Sequence, residues 1–204
     1  MYDFSVPMAL VDYIPVLFFG IAAVLLQLDL YGKMRKDAFA LFAAGTINIF
    51  TAGFLKASWK LLYAAGICDF QALNTLFLPL QSIGFLLAGL GIVLMLYTQK
   101  HKAMLAATPP VFSGKAVFIS MMVLGLAAIC AGLGRIAIQM KKKSAALFFL
   151  LSFLCSMCMG YLSSKDSTSA LVNWIEQSVN CLGQGMLLWG VVILHRAGLK
   201  QFDL

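Results

Sequence analysis

Six long apolar runs dominate the sequence and limit what the chain can fold into. They lie at residues 10–30, 38–55, 73–97, 116–138, 145–162 and 170–194, and the second can extend to residue 65. A helix needs about 20 apolar residues to cross the ~30 Å hydrocarbon layer of a bilayer. In a chain of 204 residues, these runs leave no room for a separate soluble domain. The sequence therefore predicts an all-α integral membrane protein, a compact bundle of six transmembrane helices.

A single transmembrane domain accounts for residues 1–204, in two halves of three runs each. The halves are residues 1–98 and 116–204, and residues 99–115, which contain Pro109 and Pro110, form the longest connection. The other connections are only a few residues long. Short connections favour antiparallel neighbours, so the halves are predicted to form one up-down bundle.

A weak internal repeat relates the two halves. The third and sixth runs share amide and glycine positions at one common offset: Asn74, Gln81, Gly84 and Gly91 against Asn173, Asn180, Gly183 and Gly190. Gly20 and Gly125 in the first and fourth runs are also each followed by paired alanines and a basic cluster. Two three-span groups joined directly must point in opposite directions, so the sequence predicts inverted repeats, which are common in secondary transporters. Chance similarity between Gly- and Ala-rich spans is the alternative.

The formal net charge of +7 is carried by short clusters at the ends of the runs. The clusters are Lys33, Arg35 and Lys36, then Lys100 and Lys102, then Lys141, Lys142 and Lys143. Basic residues at such positions anchor helices against lipid headgroups. Lys56 and Lys60, which flank Trp59, are likewise predicted to reach the headgroups from the end of the second span. Nucleic-acid binding is excluded as a function, because the chain has no basic stripe with interleaved aromatic residues.

The positive-inside rule conflicts with six alternating spans. An external N-terminus places the first two basic clusters in the cytoplasm but leaves Lys141 to Lys143 and Arg196 outside. A seventh crossing within residues 99–115 would resolve the conflict, but that stretch has too few apolar residues for a full span. We therefore keep six spans, favour an external N-terminus, and expect a bacterial-type plasma membrane.

Amides form a stripe on the sixth run. Asn173, Gln177, Asn180 and Gln184 recur at helical spacing, and Glu176 flanks them. Because polar side chains are costly in lipid, this face is predicted to point into the bundle. Asn74 and Gln81 lie on a similar face of the third run, which predicts a polar substrate site between the third and sixth spans. Interhelical hydrogen bonding without a ligand is the alternative interpretation.

Three further residues have an ambiguous role. Asp29 and Arg135 lie near the ends of the first and fourth runs, where they would anchor the helices, form a gate, or pair with Glu176. Pro79 is predicted to break the helix early in the third span, because proline removes a backbone donor.

No metal or cofactor site is predicted. His101 and His195 lack ligand spacing, and the five cysteines do not form a disulfide framework. Cys155 and Cys158 have the spacing of a dithiol pair, but their helix has no nearby basic residue to activate a thiol. We therefore interpret both cysteines as packing residues.

The polar stripe predicts a small transporter or channel for a small polar or cationic solute. A membrane-embedded enzyme acting on a lipid or isoprenoid is the main alternative, and a non-catalytic receptor or partner subunit is the third. Catalysis is disfavoured, because enzymes need several converging titratable groups and the sequence shows one deep carboxylate. The expected partners are membrane lipids, a small solute or lipid-like ligand, and a second copy or another membrane subunit.

Overall fold

The computed structural model describes residues 4–98, 114–162 and 170–203. Within those ranges every regular element is a helix, and six spans are long and apolar enough to cross a membrane. The first span contains α1 (Val6–Val11) and α2 (Tyr13–Leu30), the second is α3 (Lys36–Ala64), and the third contains α4 (Gln71–Thr75) and α5 (Phe77–Thr98). The others are α6 (Lys115–Gln139), α7 (Lys143–Leu162) and α8 (Ala170–Arg196). The predicted all-α membrane bundle is confirmed.

Prolines interrupt the first and third spans near the same end of the bundle. Pro15 cannot donate a hydrogen bond to the carbonyl of Val11, and the break between α1 and α2 falls at Asp12. Pro79 acts in the same way one turn after Thr75, where α4 ends and α5 begins. The break predicted at Pro79 is therefore confirmed.

The six spans pack in chain order around a closed ring. Each helix contacts the next, in the order α2, α3, α5, α6, α7 and α8, and α8 returns to contact α2. In such a ring the third and sixth spans lie on opposite sides. Among the described residues, α5 and α8 are not a helix pair in extensive contact.

Neighbouring helices within each half are antiparallel. The Tyr13 and Ser58 hydroxyls are 3.0 Å apart near one end of α2 and α3, and Gln27 Nε2 donates to Thr46 Oγ1 at 2.8 Å near the other. We call the end that holds the start of α2 the upper end, and the end that holds Leu30 the lower end.

The two halves meet through parallel helices. On α5 and α6, Gly89 lies against Ala128, and Ile92 lies against Gly132 further down both helices. α8 likewise runs parallel to α2, because His195 near the lower end of α8 contacts Asp29 near the lower end of α2. The two halves therefore point in the same direction, and the predicted inverted repeat is wrong.

This orientation places Thr98, the last residue of α5, at the lower end of the bundle and Lys115, the first residue of α6, at the upper end. The predicted loop at 99–115 lies almost wholly outside the described residues. Its ends show that the prediction of strict up-down alternation was wrong at this point.

Equivalent residues make equivalent contacts in the two halves. Gly84 of α5 lies against the Gly45 carbonyl of α3, and Gly183 of α8 lies against the Ser152 carbonyl of α7. The Gly20–Gly125 match is less informative, because Gly20 faces an α3 side chain whereas Gly125 faces the α5 backbone. Because the two halves point in the same direction, an axis that relates these contacts lies along the membrane normal.

The upper and lower halves of the bundle have different interiors. The lower half is filled by tightly packed apolar side chains, which include Leu30, Ile92, Leu133, Ile136, Phe149 and Leu194. The upper half buries polar and charged side chains, namely Asp12, Lys60, Ser82, Asn173, Glu176 and Gln177. The buried polar residues outside the upper half are Asp29, which contacts His195, Ser152 near the middle of α7, and Thr46, which donates to backbone carbonyls and accepts from Gln27.

Exposed basic residues gather at the lower end of the bundle. They lie in the α2–α3 connection, in the α6–α7 connection and after α8: Arg35, Lys36, Lys141, Lys142, Lys143, Arg196 and Lys200. The remaining predicted cluster, Lys100 and Lys102, lies outside the described residues. Because the last three spans run in the same direction as the first three, the described basic clusters all lie on one face of the membrane. The charge conflict seen in the sequence came from the assumption of six strictly alternating spans.

Candidate functional site

Four charged side chains come together inside the upper half of the bundle. Lys60 Nζ lies 2.9 Å from Asp12 Oδ2, and both side chains are only about a tenth exposed. Lys56 is near enough to Asp12 and Glu176 for their charges to interact, and Glu176 also interacts with Lys60. We call Asp12, Lys56, Lys60 and Glu176 the charged cluster. Its two carboxylates and two ammonium groups balance in formal charge.

Three helices supply the charged cluster. Asp12 is placed by the break between α1 and α2. Lys56 and Lys60 are four residues apart on α3, so they share one helix face. Glu176 lies in the second turn of α8 and is only 8% exposed. In the ring, α2, which begins directly after Asp12, lies between α3 and α8.

Aromatic rings cover the two lysines. Lys56 Nζ lies 4.1 Å from the centroid of the Phe77 ring, and Lys60 Nζ lies 5.1 Å from that of Phe4. Both distances fall within the ~6 Å range of cation–π attraction. Phe77 is the first residue of α5, so the break before it brings a ring to the cluster. Phe4 also packs edge-on against Trp59.

Four buried polar atoms have no hydrogen-bond partner among the described residues. They are Glu176 Oε1, Gln177 Nε2, Gln184 Oε1 and Ser82 Oγ. A buried polar group without a partner typically costs about 1–3 kcal/mol. Glu176 and Gln177 follow each other on α8 and are both buried, so the inward side of this helix carries an unfilled acceptor and an unfilled donor. A polar ligand or water would satisfy either atom.

The amide stripe of α8 is only partly buried. Asn173 and Gln177 are buried, whereas Asn180 and Gln184 are half-buried. In the third span, Asn74 of α4 and Gln81 of α5 are also half-buried. Because α5 and α8 lie across the ring, the nearest charged partners of Glu176 come from the first and second spans rather than from the third.

Asp29 and Arg135 lie near the lower end, far from Glu176. Asp29 is buried, and both its carboxylate oxygens lie 3.0 Å from His195 Nδ1. Arg135 is exposed near the lower end of α6. The hypothesis that Arg135 pairs with Glu176 is wrong, because the two residues lie in opposite halves of the bundle.

The cysteines and potential metal ligands show no assembled centre within the described ranges. All five cysteines are free, and no group of three or more His, Cys, Asp or Glu side chains could hold a metal ion. Cys155 packs against Gly183 of α8, and Cys158 is exposed. The interpretation of these cysteines as packing residues stays a prediction.

Sequence reasoning found Glu176 but missed the other members of its site. Lys56 and Lys60 resemble ordinary interfacial lysines, and Asp12 resembles a residue of the N-terminal boundary. The prediction that Lys60 reaches the headgroups is wrong, because Lys60 is buried against Asp12. The convergence of these residues depends on the ring order of the helices, which no local pattern shows.

Comparison with known proteins adds no assignment to this geometry. No family model, curated protein or solved structure matches the chain.

Proposed function

We propose that this protein is a small transporter that binds its solute at the charged cluster. The observation that carries the proposal is the buried Glu176 Oε1, which has no hydrogen-bond partner among the described residues and whose carboxylate interacts with the charge of Lys56. Buried polar atoms without protein partners are costly, so their retention in an apolar bundle has a functional reason.

The solute is small and carries both hydrogen-bond donors and acceptors. A donor or ammonium group would bind Glu176 Oε1, and an acceptor or carboxylate would bind Gln177 Nε2. The balanced charge of the cluster favours a polar or zwitterionic solute over a simple cation, because Asp12 and Glu176 are offset by Lys56 and Lys60. Phe77 would supply an apolar wall.

The solute enters from the upper end, which faces outside. The lower half is closed by apolar packing, whereas the interior of the upper half is polar. The basic clusters make the lower end the cytoplasmic one under the positive-inside rule. The pair formed by Asp29 and His195 lies at that closed end and acts as a cytoplasmic gate in this proposal.

Replacement of Glu176 by Gln tests the proposal directly. The change keeps the size of the side chain and removes its charge. A panel of zwitterionic amino acids, small ammonium compounds and polyols is screened for thermal stabilisation of the purified protein and for uptake into proteoliposomes. We expect at least one solute to stabilise the native protein, since a ligand that binds only the folded state raises its stability, and both effects to be lost in Glu176→Gln.

Asp37→Asn is the matched control. It also removes one carboxylate, but from an exposed position where Asp37 pairs with Arg35. Uptake should be unchanged in this variant. If no solute in the panel is bound or transported, or if Glu176→Gln takes up solute at the native rate, the charged cluster is not a transport site.

A membrane-embedded enzyme acting on a lipid or isoprenoid is the second candidate. The observation that favours it is the convergence of Asp12 and Glu176, since paired titratable groups can share acid and base roles. Incubation with a membrane lipid extract followed by mass spectrometry separates the two candidates. A product that forms with the native protein, and not with Glu176→Gln, would favour the enzyme, whereas uptake without chemical change favours the transporter.

A further inference from the structure

An apolar groove runs along the outer surface of the bundle between α6 and α7. Its volume is about 660 Å³, within the usual range for sites that hold a small molecule. Ala127, Cys130 and Gly134 line one side, and Leu147, Leu150 and Phe153 line the other. Leu147 and Leu150 are exposed, so the groove opens towards the surrounding lipid.

The groove is about as long as one membrane leaflet is thick. Its α6 wall extends from Ala127 to Gln139, which is about 18 Å at the helical rise of 1.5 Å per residue. Half of the ~30 Å hydrocarbon layer is about 15 Å. An acyl chain that enters at the lower end would therefore follow the groove to about the middle of the bilayer.

A positive charge marks the lower end of the groove. Arg135 lines the groove and is exposed, and within residues 4–98, 114–162 and 170–203 it has no ion-pair or hydrogen-bond partner. Lys141, Lys142 and Lys143 follow in the exposed turn between α6 and α7. This arrangement is complementary to a phosphate headgroup.

Lys141 also adopts a backbone conformation that usually requires glycine. Its φ is 58°, and among the described residues it is the one non-glycine with positive φ. Lys142 N donates to the Ala137 carbonyl at 2.8 Å and Lys141 N to that of Ile138 at 3.0 Å, which closes α6 in a Schellman motif. A lysine at this position retains a charge where glycine would be less strained.

We propose that the groove between α6 and α7 binds one anionic phospholipid of the lower leaflet, with an acyl chain against the apolar walls and its phosphate at Arg135. This inference is independent of the solute site in the upper half. The proposed occupant is defined by its chemistry: an apolar chain that ends in a negatively charged group.

Native mass spectrometry of the purified full chain tests the proposal with phosphatidylglycerol and phosphatidylcholine of identical acyl chains. We expect the native protein to retain phosphatidylglycerol several-fold better than phosphatidylcholine, since only the former carries a net negative charge to the basic end of the groove. In Arg135→Gln, the preference for phosphatidylglycerol should largely disappear. Equal retention of both lipids by the native protein would overturn the proposal.

Two substitutions fill the groove without disturbing the core. A Cβ atom at Gly134 would meet no atom within 4 Å, so Gly134→Trp extends into the groove, and Leu147→Trp narrows it from α7. Both variants should lose the tightly retained lipid. Gly160→Trp is the matched control, since Gly160 also has open space within 4 Å and lies on α7 away from the groove.

The remaining outcomes also decide the proposal. If both groove variants retain phosphatidylglycerol as the native protein does, the lipid binds elsewhere and the groove site is rejected. If the native protein appears as a dimer that Gly134→Trp dissociates, a second copy covers the groove and the lipid proposal is wrong. Retention of glycerol phosphate alone would show that the acyl groove is not needed, which would also contradict it.

Discussion

The upper and lower halves of this bundle differ in how closely corresponding residues of the two three-span halves match. In the lower half, Gly91 and Gly190 occupy corresponding positions, and each contacts a fully buried phenylalanine, Phe42 and Phe149 respectively. In the upper half the corresponding residues differ. The sequence offset that relates Gly91 to Gly190 also relates Phe77 to Glu176, so an aromatic ring on α5 corresponds to a carboxylate on α8. Apolar packing therefore maintains the architecture that the two halves of the chain share, whereas a substitution in only one of them creates the candidate site at the upper end.

The largest expected effect is an all-or-none difference in the accessibility of the two termini. The parallel halves place the start of α2 and the end of α8 on opposite sides of the membrane. An N-terminal epitope should be accessible outside the cell, and a C-terminal fluorescent fusion should fold inside it. Accessibility of both termini on the same side would contradict the parallel repeat and remove the distinction between upper and lower ends.

Truncation of a lower-half core residue should cause the next largest effect. Phe149 is fully buried, so Phe149→Ala should lower the free energy of unfolding by about 3–5 kcal/mol. Phe42→Ala should cost a similar amount, because Phe42 is its repeat equivalent. Leu154→Ala is the control on the same helix, since Leu154 is exposed. Denaturant titration in bicelles measures all three, and a small loss at Phe149 would argue against a tightly packed lower half.

Removal of one charge from the upper half should cost about 3 kcal/mol, near the lower end of the range for broken buried pairs. Asp12→Leu leaves Lys60 buried without its carboxylate. The double variant Asp12→Leu/Lys60→Met should recover most of the lost stability, because it removes both charges. The same double variant should lose solute uptake. If the double variant recovers stability and also takes up solute at the native rate, the Asp12–Lys60 pair is not required for uptake.

The smallest effect is expected for a neutral hydrogen bond in the lower half. Gln27 Nε2 donates to Thr46 Oγ1 between α2 and α3. Gln27→Leu should lower the free energy of unfolding by about 0.6 kcal/mol, a typical value for such bonds between membrane helices. A double-mutant cycle with Thr46→Val isolates the interaction. If the interaction energy between Gln27 and Thr46 is as large as that between Asp12 and Lys60, the upper and lower halves of the bundle do not differ in the strength of their polar contacts.

The fold class could be predicted from the sequence, because each apolar run is long enough to specify a span by itself. The break at Pro79 was predictable for a similar reason, since it depends on one missing backbone donor. The relative direction of the halves could not be predicted, because residues 99–115 contain too few apolar residues to indicate a further span. The wrong direction in turn produced the inverted repeat and the conflict between basic clusters.

The candidate site was less accessible to prediction than the fold. Glu176 stood out because a carboxylate inside an apolar run is costly. Lys60 and Asp12 lie near span ends, where charged residues are ordinary, so nothing in their local sequence indicates that they pair. The contact between Asp29 and His195, 166 residues apart in the chain, likewise requires knowledge that α2 and α8 are parallel neighbours.

The parallel arrangement affects how the sequence of such a molecule can diversify. Two separate copies of a three-span half, inserted in the same direction, would form an equivalent ring as a symmetric dimer. In that dimer every substitution would occur twice, so a carboxylate at the position of Glu176 would also replace Phe77. Joining the copies in one chain frees each half to change alone. The fused chain can therefore keep an aromatic wall on one side of its site and an acid on the other.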